Sequence, residues 1–167
     1  MIAAVVLAAG AASRFGSPKQ RLLLAPVLER VRASHAVDDV VVVLGAHEVE
    51  TDARSVRCRE WERGPGASLR CGLAALSSDA EAAVVVLADG PELAPAAIDR
   101  VVETWRRERD PVVAATYGGV RSHPVLLGRA AWDSVPEEGA RSLAARLVPC
   151  DDLGSPGDVD RPEDLPA

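Results

Sequence analysis

The stretch LAAGAASRFGSPKQRLL, Leu7 to Leu23, holds Lys19, the only lysine in a chain with eighteen arginines. Gly10, Gly16 and the alanines between them let a backbone approach a ligand closely and present N–H groups to phosphate oxygens. Arg14 and Lys19 add positive charge to the same loop. Lysine is a compact point charge on a slim stem, whereas arginine brings a broad planar fork, so a lone lysine suits a crowded phosphate site. The spacing excludes the two common glycine-rich motifs. Gly16 is followed by Ser17 and Pro18 rather than by Lys and Ser or Thr, and Gly10 has no glycine two residues later. An ordinary strand-to-helix connection would use the same glycines, but it gives no reason for the one lysine.

Other segments offer chemistry of their own. In LADGPEL, Asp89 follows a run of valines and precedes Gly90 and Pro91, which turn the chain. A carboxylate at the end of a buried strand is costly unless it meets a cation or hydrogen-bond donors. Mg²⁺ typically takes one or two carboxylates together with substrate phosphates. A helix cap or an Asx turn near Pro91 is the plainer alternative. The tail GDVDRPEDLPA adds Asp158 and Asp160, with Asp160 placed to cap a short helix opened by Pro162. Ser68 opens SLRCGL, where it would cap a helix whose N-terminus also exposes donors to a ligand. His123, before Pro124, reads first as a structural hydrogen-bonding residue. Arg141, after Gly139 and Ala140, falls on the first turn of an expected helix, an unfavourable place for a cation unless an anion is near. Trp61 and Trp105 are assigned to packing and Cys71 to a helix interior.

The elements that must carry these residues are legible as apolar runs. Ile2–Ala9, Val40–Gly45, Ala82–Asp89 and Pro111–Thr116 are continuous and β-branched, as strands buried on both faces should be. His123–Gly128 reads as a further strand entered by proline. Helical spacing covers Ser68–Ser78 and Pro95–Asp110, and shorter helical pieces are expected at RAAWDSV and ARSLAARL. Strand alternating with helix predicts a doubly wound α/β fold. In such a fold ligands bind beyond the carboxyl ends of the strands, where the loop after Ala9, Asp89 and the tail all fall.

Composition bounds the rest. A chain of 167 residues with 48% hydrophobic content predicts one domain, 1–167, with a proper core. The net charge of −6 and the absence of a basic run argue against a nucleic-acid partner. No apolar run is long enough for a membrane span. Cys58, Cys71 and Cys150 have neither CxxC spacing nor an even count, which predicts reduced thiols in a cytoplasmic protein.

Six segments in order resemble the MobA-like nucleotidyltransferases: LAAGAASRFGSPKQ, WERGPGASLRCGL, LADGPEL, RSHPVLLG, EEGARSL and DVDRPEDL. The LAAG form is similar to the molybdenum cofactor cytidylyltransferase branch. The resemblance implies a single-domain, Rossmann-like, three-layer α/β/α sandwich with a mostly parallel mixed sheet. It implies Mg²⁺-dependent transfer of a nucleoside monophosphate, CMP from CTP, to a phosphorylated acceptor of molybdopterin type, with release of pyrophosphate. By that likeness Leu7, Ala8, Ala9, Gly10, Arg14, Lys19, Ser68 and Asp89 bind the nucleotide, and Asp89 and Asp160 bind Mg²⁺. Lys19, Arg14 and Asp89 are then catalytic, His123 and Arg141 line the acceptor side, and a molybdoenzyme or its chaperone is a transient partner. The chemistry agrees, because nucleotidyl transfer rests on positioning and charge neutralisation rather than on a protein nucleophile. Three departures mark this chain: a compressed segment after Lys19, Gly90 after the metal aspartate, and Ser122 before the His-Pro pair. Sugar-phosphate or phospholactate nucleotidyltransferases, or a catalytically weakened nucleotide carrier of the same fold, remain alternatives.

Overall fold

The unbroken apolar runs become the centre of one sheet. The computed structural model describes residues 1–12 and 14–166. Its strands are β1 (Ile2–Ala8), β2 (Asp39–Leu44), β3 (Arg54–Arg57), β4 (Ala82–Leu87), β5 (Val112–Tyr117), β6 (Val120–Gly128) and β7 (Arg146–Pro149). They form a seven-stranded sheet in the order β3-β2-β1-β4-β6-β5-β7. Every pairing is parallel except those of β6, which runs antiparallel to both β4 and β5. The sheet is therefore mixed and mostly parallel.

Three helices, α1 (Gln20–Arg32), α2 (Pro65–Ala74) and α3 (Pro95–Glu108), cover the two faces. On one face Ala4, Val6 and Ala8 of β1 pack with Val27 and Val31 of α1 and with Ile98 and Val101 of α3. On the other, Val5, Val43 and Val85 pack with Leu69 and Leu73 of α2. Both faces of β1 are buried, so its sequence cannot alternate. Each fully buried valine or leucine side chain stabilises the fold by about 1.5–3 kcal/mol.

Several expectations are corrected by this arrangement. β3 was not legible, because a short, exposed edge strand reading RSVR carries no apolar signal. RAAWDSV forms a 3₁₀ segment, Arg129–Ser134, rather than an α-helix. ARSLAARL is split into a single 3₁₀ turn, Ala140–Ser142, and the start of β7. The edge position offered by β5 wins over the weak helical spacing there. Ser68 does not cap α2, which begins earlier behind Gly64 and Pro65. Asp160 does not cap the final turn either: Arg161 occupies that position, and the Asp160 and Arg161 N–H groups both donate to Asp164.

The cysteines are not all reduced. Cys58 and Cys71 are disulfide-bonded with Cα atoms 5.8 Å apart, within the usual span, and Cys150 is free and buried. Their spacing in sequence gives no pairing signal. The fold creates the pairing by laying α2 across the end of β3.

α2 can lie close to the sheet because Gly72 faces it. A Cβ there would come within 2.5 Å of Val5 Cγ1 and 2.8 Å of Val43 Cγ2. Helix propensity alone favours alanine over glycine by about 1 kcal/mol. Overpacking a tight interior costs about 1–3 kcal/mol, so packing decides the sign. Gly72→Ala is expected to lower stability by roughly 1 kcal/mol in urea titration; a variant about 1 kcal/mol more stable than the parent, the propensity gain alone, would show that α2 does not press on the sheet.

Candidate active site

The chain passes from β1 to β2 on one side of the sheet and later places β4 on the other. This is the switch point at which a doubly wound sheet opens a crevice beyond its carboxyl ends. β1 and β4 end level with one another, Leu7 paired with Leu87. A cavity of about 500 Å³ opens there. Leu7, Ala8, Ala9 and Gly10 line it from the end of β1, Arg14 and Lys19 from the loop, Ser68 from α2, and Asp89 and Asp160 from the other strand ends. All nine residues were expected at a nucleotide or metal site.

Lys19 stands at the N-terminus of α1 and is largely buried, its side chain 14% exposed. Its Nζ donates to the Val159 carbonyl at 2.6 Å and lies 3.6 Å from Asp89 Oδ2. The Val159 N–H in turn donates to the Asp89 carbonyl at 3.0 Å. Val159 also packs against Phe15 and Leu23, while Asp160 pairs with Arg14 at 3.3 Å. The loop, the end of β4 and the tail are thus fastened to each other through the charged residues of the cavity.

Asp89 has a second carboxylate beside it in Asp158, while Asp160 lines the same cavity. Burial pushes the Asp89 carboxyl up to about 6, Lys19 pulls it back, and Asp158 adds to the rise by charge and by a shared hydrogen bond. A divalent cation fits this pair. Among the described residues no group of three or more His, Cys, Asp or Glu side chains could hold a metal alone. One or two carboxylates completed by substrate phosphates is the donor set Mg²⁺ prefers.

His123 and Arg141 lie in a neighbouring cavity of about 460 Å³ that shares Leu7, Pro65 and Leu87 with the first. Asp158 and Arg121 line it too. The Leu87 N–H donates to His123 Nδ1 at 3.4 Å, which leaves the proton of the neutral ring on Nε2. Burial pushes this histidine down to about 4, against the pull of Asp158. Gly90 makes room for the ring, since a Cβ there would sit 2.9 Å from Cε1 and Nε2. Arg121 donates to the carbonyls of Leu143 and Ala140 and so holds up the turn that carries Arg141.

Sequence reasoning missed part of the wall. Trp61, assigned to packing, packs against the core and also lines the first cavity, along with Glu62, Gly64 and Pro65. Gln20, next to Lys19, is buried, lines the same cavity and donates to the Gly10 carbonyl at 2.8 Å. A polar residue at the first position of α1 was the available signal for Gln20.

A crevice at this switch point, with a lysine at a helix N-terminus facing an aspartate at a strand end, is suited to a metal-complexed phosphate. The chain belongs to the MobA-like NTP transferase domain family, which matches residues 4–150. No functionally curated protein matches it. The structure is similar to Rv0371c from Mycobacterium tuberculosis H37Rv, with 25% identity, TM-score 0.79, and coverage of 98% of this chain and 94% of that one. A manganese complex of Rv0371c gives 26% identity, TM-score 0.73 and coverage of 98% and 95%. Molybdopterin-guanine dinucleotide biosynthesis protein A from Archaeoglobus fulgidus shares the fold at 15% identity, TM-score 0.71 and coverage of 97% and 94%. Among the described residues no helix is long and apolar enough to cross a membrane.

The two shifted groups act on stability with opposite signs. Asp89, raised from 3.8 to about 6, contributes stability that is complete below about pH 4 and lost as pH rises to 6. His123, lowered from 6.5 to about 4, contributes stability that is present above pH 6.5 and lost as pH falls to 4. In urea titrations across this window, Asp89→Asn is expected to make stability climb more steeply with pH than in the parent. His123→Gln should make it fall. Identical slopes for all three proteins would refute both assignments.

Proposed function

We propose that the protein transfers CMP from CTP to a phosphorylated acceptor of molybdopterin type, with release of pyrophosphate. The observation that carries this reading is the convergence of Lys19, Arg14 and Asp89 on one cavity at the β1/β4 crevice. The N-termini of α1 and α2 border that cavity, and helix N-termini favour phosphate. The choice of CTP rests on the LAAG form of the loop, and the acceptor on the second cavity beside the first.

In this reading the backbone of Leu7–Ala9 and Ser68 of α2 hold the base and sugar, and Gly10 joins Lys19 and Arg14 at the triphosphate. Lys19 and Arg14 turn from their present partners to the phosphates. Lys19 then neutralises charge at the α-phosphoryl oxygens and Arg14 at the departing pyrophosphate. Asp89, with Asp158 and Asp160 beside it, would hold a divalent cation. Bound there, the cation would screen the phosphates from the carboxylates and orient them. The manganese bound to Rv0371c supports a divalent ion in a relative. Arg141 and the Nε2–H of His123 receive the acceptor, whose phosphate oxygen is already a competent nucleophile and needs no strong base. Holding both substrates in line is the main contribution of the protein.

The test combines binding and turnover. With Mg²⁺ present, CTP is expected to raise the thermal midpoint more than ATP, GTP or UTP, because a ligand that binds only the folded state stabilises it by mass action. Pyrophosphate release with molybdopterin as acceptor should fall about 10²- to 10³-fold in Lys19→Ala and in Asp89→Ala. Unchanged turnover in either variant would overturn the site. Nucleotide binding without any pyrophosphate release would instead assign a carrier.

A further inference from the structure

The disulfide encloses the part of the chain that forms one wall of the nucleotide cavity. Between Cys58 and Cys71 lie Trp61, Glu62, Gly64, Pro65 and Ser68, and all five line that cavity. Cys58 follows the edge strand β3, is fully buried, and is fixed to β2 by its N–H donating to the Leu44 carbonyl at 2.7 Å. Cys71 is half-buried on α2. The bond therefore ties the helix that carries the wall to the edge of the sheet. The other polar fastenings of this segment run to residues 135–137. Gly66 N–H donates to the Glu137 carbonyl at 2.9 Å, Arg70 donates to the Val135 carbonyl at 2.8 Å, and Arg63 pairs with Glu137.

A cross-link stabilises a whole fold most when it closes a long loop, and this one has a sequence separation of only 13. The segment it closes directly is the cavity wall, which is where loss of the bond acts first. We propose that Cys58 and Cys71 form a reversible thiol–disulfide site through which the redox state sets the order of the wall at residues 59–70, and with it nucleotide affinity. The co-reactant is a low-molecular-weight disulfide. The Cys71 thiolate, the more accessible, attacks one of its sulfurs and expels a small thiolate. The Cys58 thiolate then attacks the Cys71 sulfur of the mixed disulfide and expels the second. The two small thiolates take up the two protons given up by the protein thiols, and a dithiol reverses the sequence. Cys150, buried apart from the pair, takes no part.

The nucleotide half of this inference rests on the reading of the cavity under Proposed function, while the order of the wall is measured independently. Alkylation in denaturant after treatment with oxidised glutathione should count one free thiol, Cys150, and three after dithiothreitol. Hydrogen exchange over residues 59–70 should be faster in the reduced protein and in Cys71→Ser. CTP with Mg²⁺ should bind those forms about fivefold more weakly, the scale of ordering a few groups at a binding surface. Reoxidation should restore the wild type alone. Should Cys71→Ser fail to fold, the reduced and reoxidised wild type give the same comparison. Three free thiols after oxidised glutathione, or equal exchange in both redox states, would overturn the proposal. If neither form binds any NTP, the cavity reading fails, and hydrogen exchange still decides whether the bond orders the wall.

Discussion

The ammonium of Lys19, held between the Val159 carbonyl at 2.6 Å and the Asp89 carboxylate at 3.6 Å, is the contact on which the site depends. A cation at a helix N-terminus opposes the helix dipole, so nothing in α1 itself favours a lysine there. What holds it is tertiary: a carboxylate from the end of β4 and a carbonyl from the tail. The dependence is mutual. Asp89 lies beside a second carboxylate in a place where burial already disfavours its charge, and Lys19 is the positive group that offsets both. Val159 completes the arrangement by donating to the Asp89 backbone and packing on Phe15 and Leu23.

In this arrangement the charges of the cavity are paired with one another. Lys19 faces Asp89 and Arg14 faces Asp160, so the positive groups of the cavity do not stand uncompensated. In the proposed reaction phosphates would replace carboxylates around Lys19 and Arg14, and the freed carboxylates would become available to a divalent cation. The second cavity adjoins the first along Leu7, Pro65 and Leu87, a shared boundary at the ends of β1 and β4.

Close packing keeps that boundary in place. The core is built from valine, alanine and leucine with few aromatics, and α2 reaches the sheet where Gly72 offers no side chain. Gly66 does the same against the Pro136 backbone, where a Cβ would fall within 1.7 Å of the carbonyl oxygen. The wall at the entrance of α2 is set by these contacts and by the Cys58–Cys71 bond. Its position therefore depends on residues far apart in the chain.

The sequence by itself determined the central strands and the loops that follow them. β1, β2, β4 and β5 are buried on both faces and so read as unbroken apolar runs, and strand ends are where such a sheet binds ligands. This is why Gly10, Arg14, Lys19 and Asp89 were legible as candidates from residue type and place alone. The edge strands β3 and β7 were not, because an exposed edge needs no apolar pattern. Only the tertiary structure decided the pairings: Asp158 beside Asp89, Cys58 bonded to Cys71, and His123 buried with its proton on Nε2. It also moved the start of α2 ahead of Ser68 and turned Trp61 to the cavity. The physical reason is the same in each case. Burial and periodicity act on a segment through its own residues, whereas a pairing depends on which strands become neighbours, and that is fixed only when the whole sheet closes around its core.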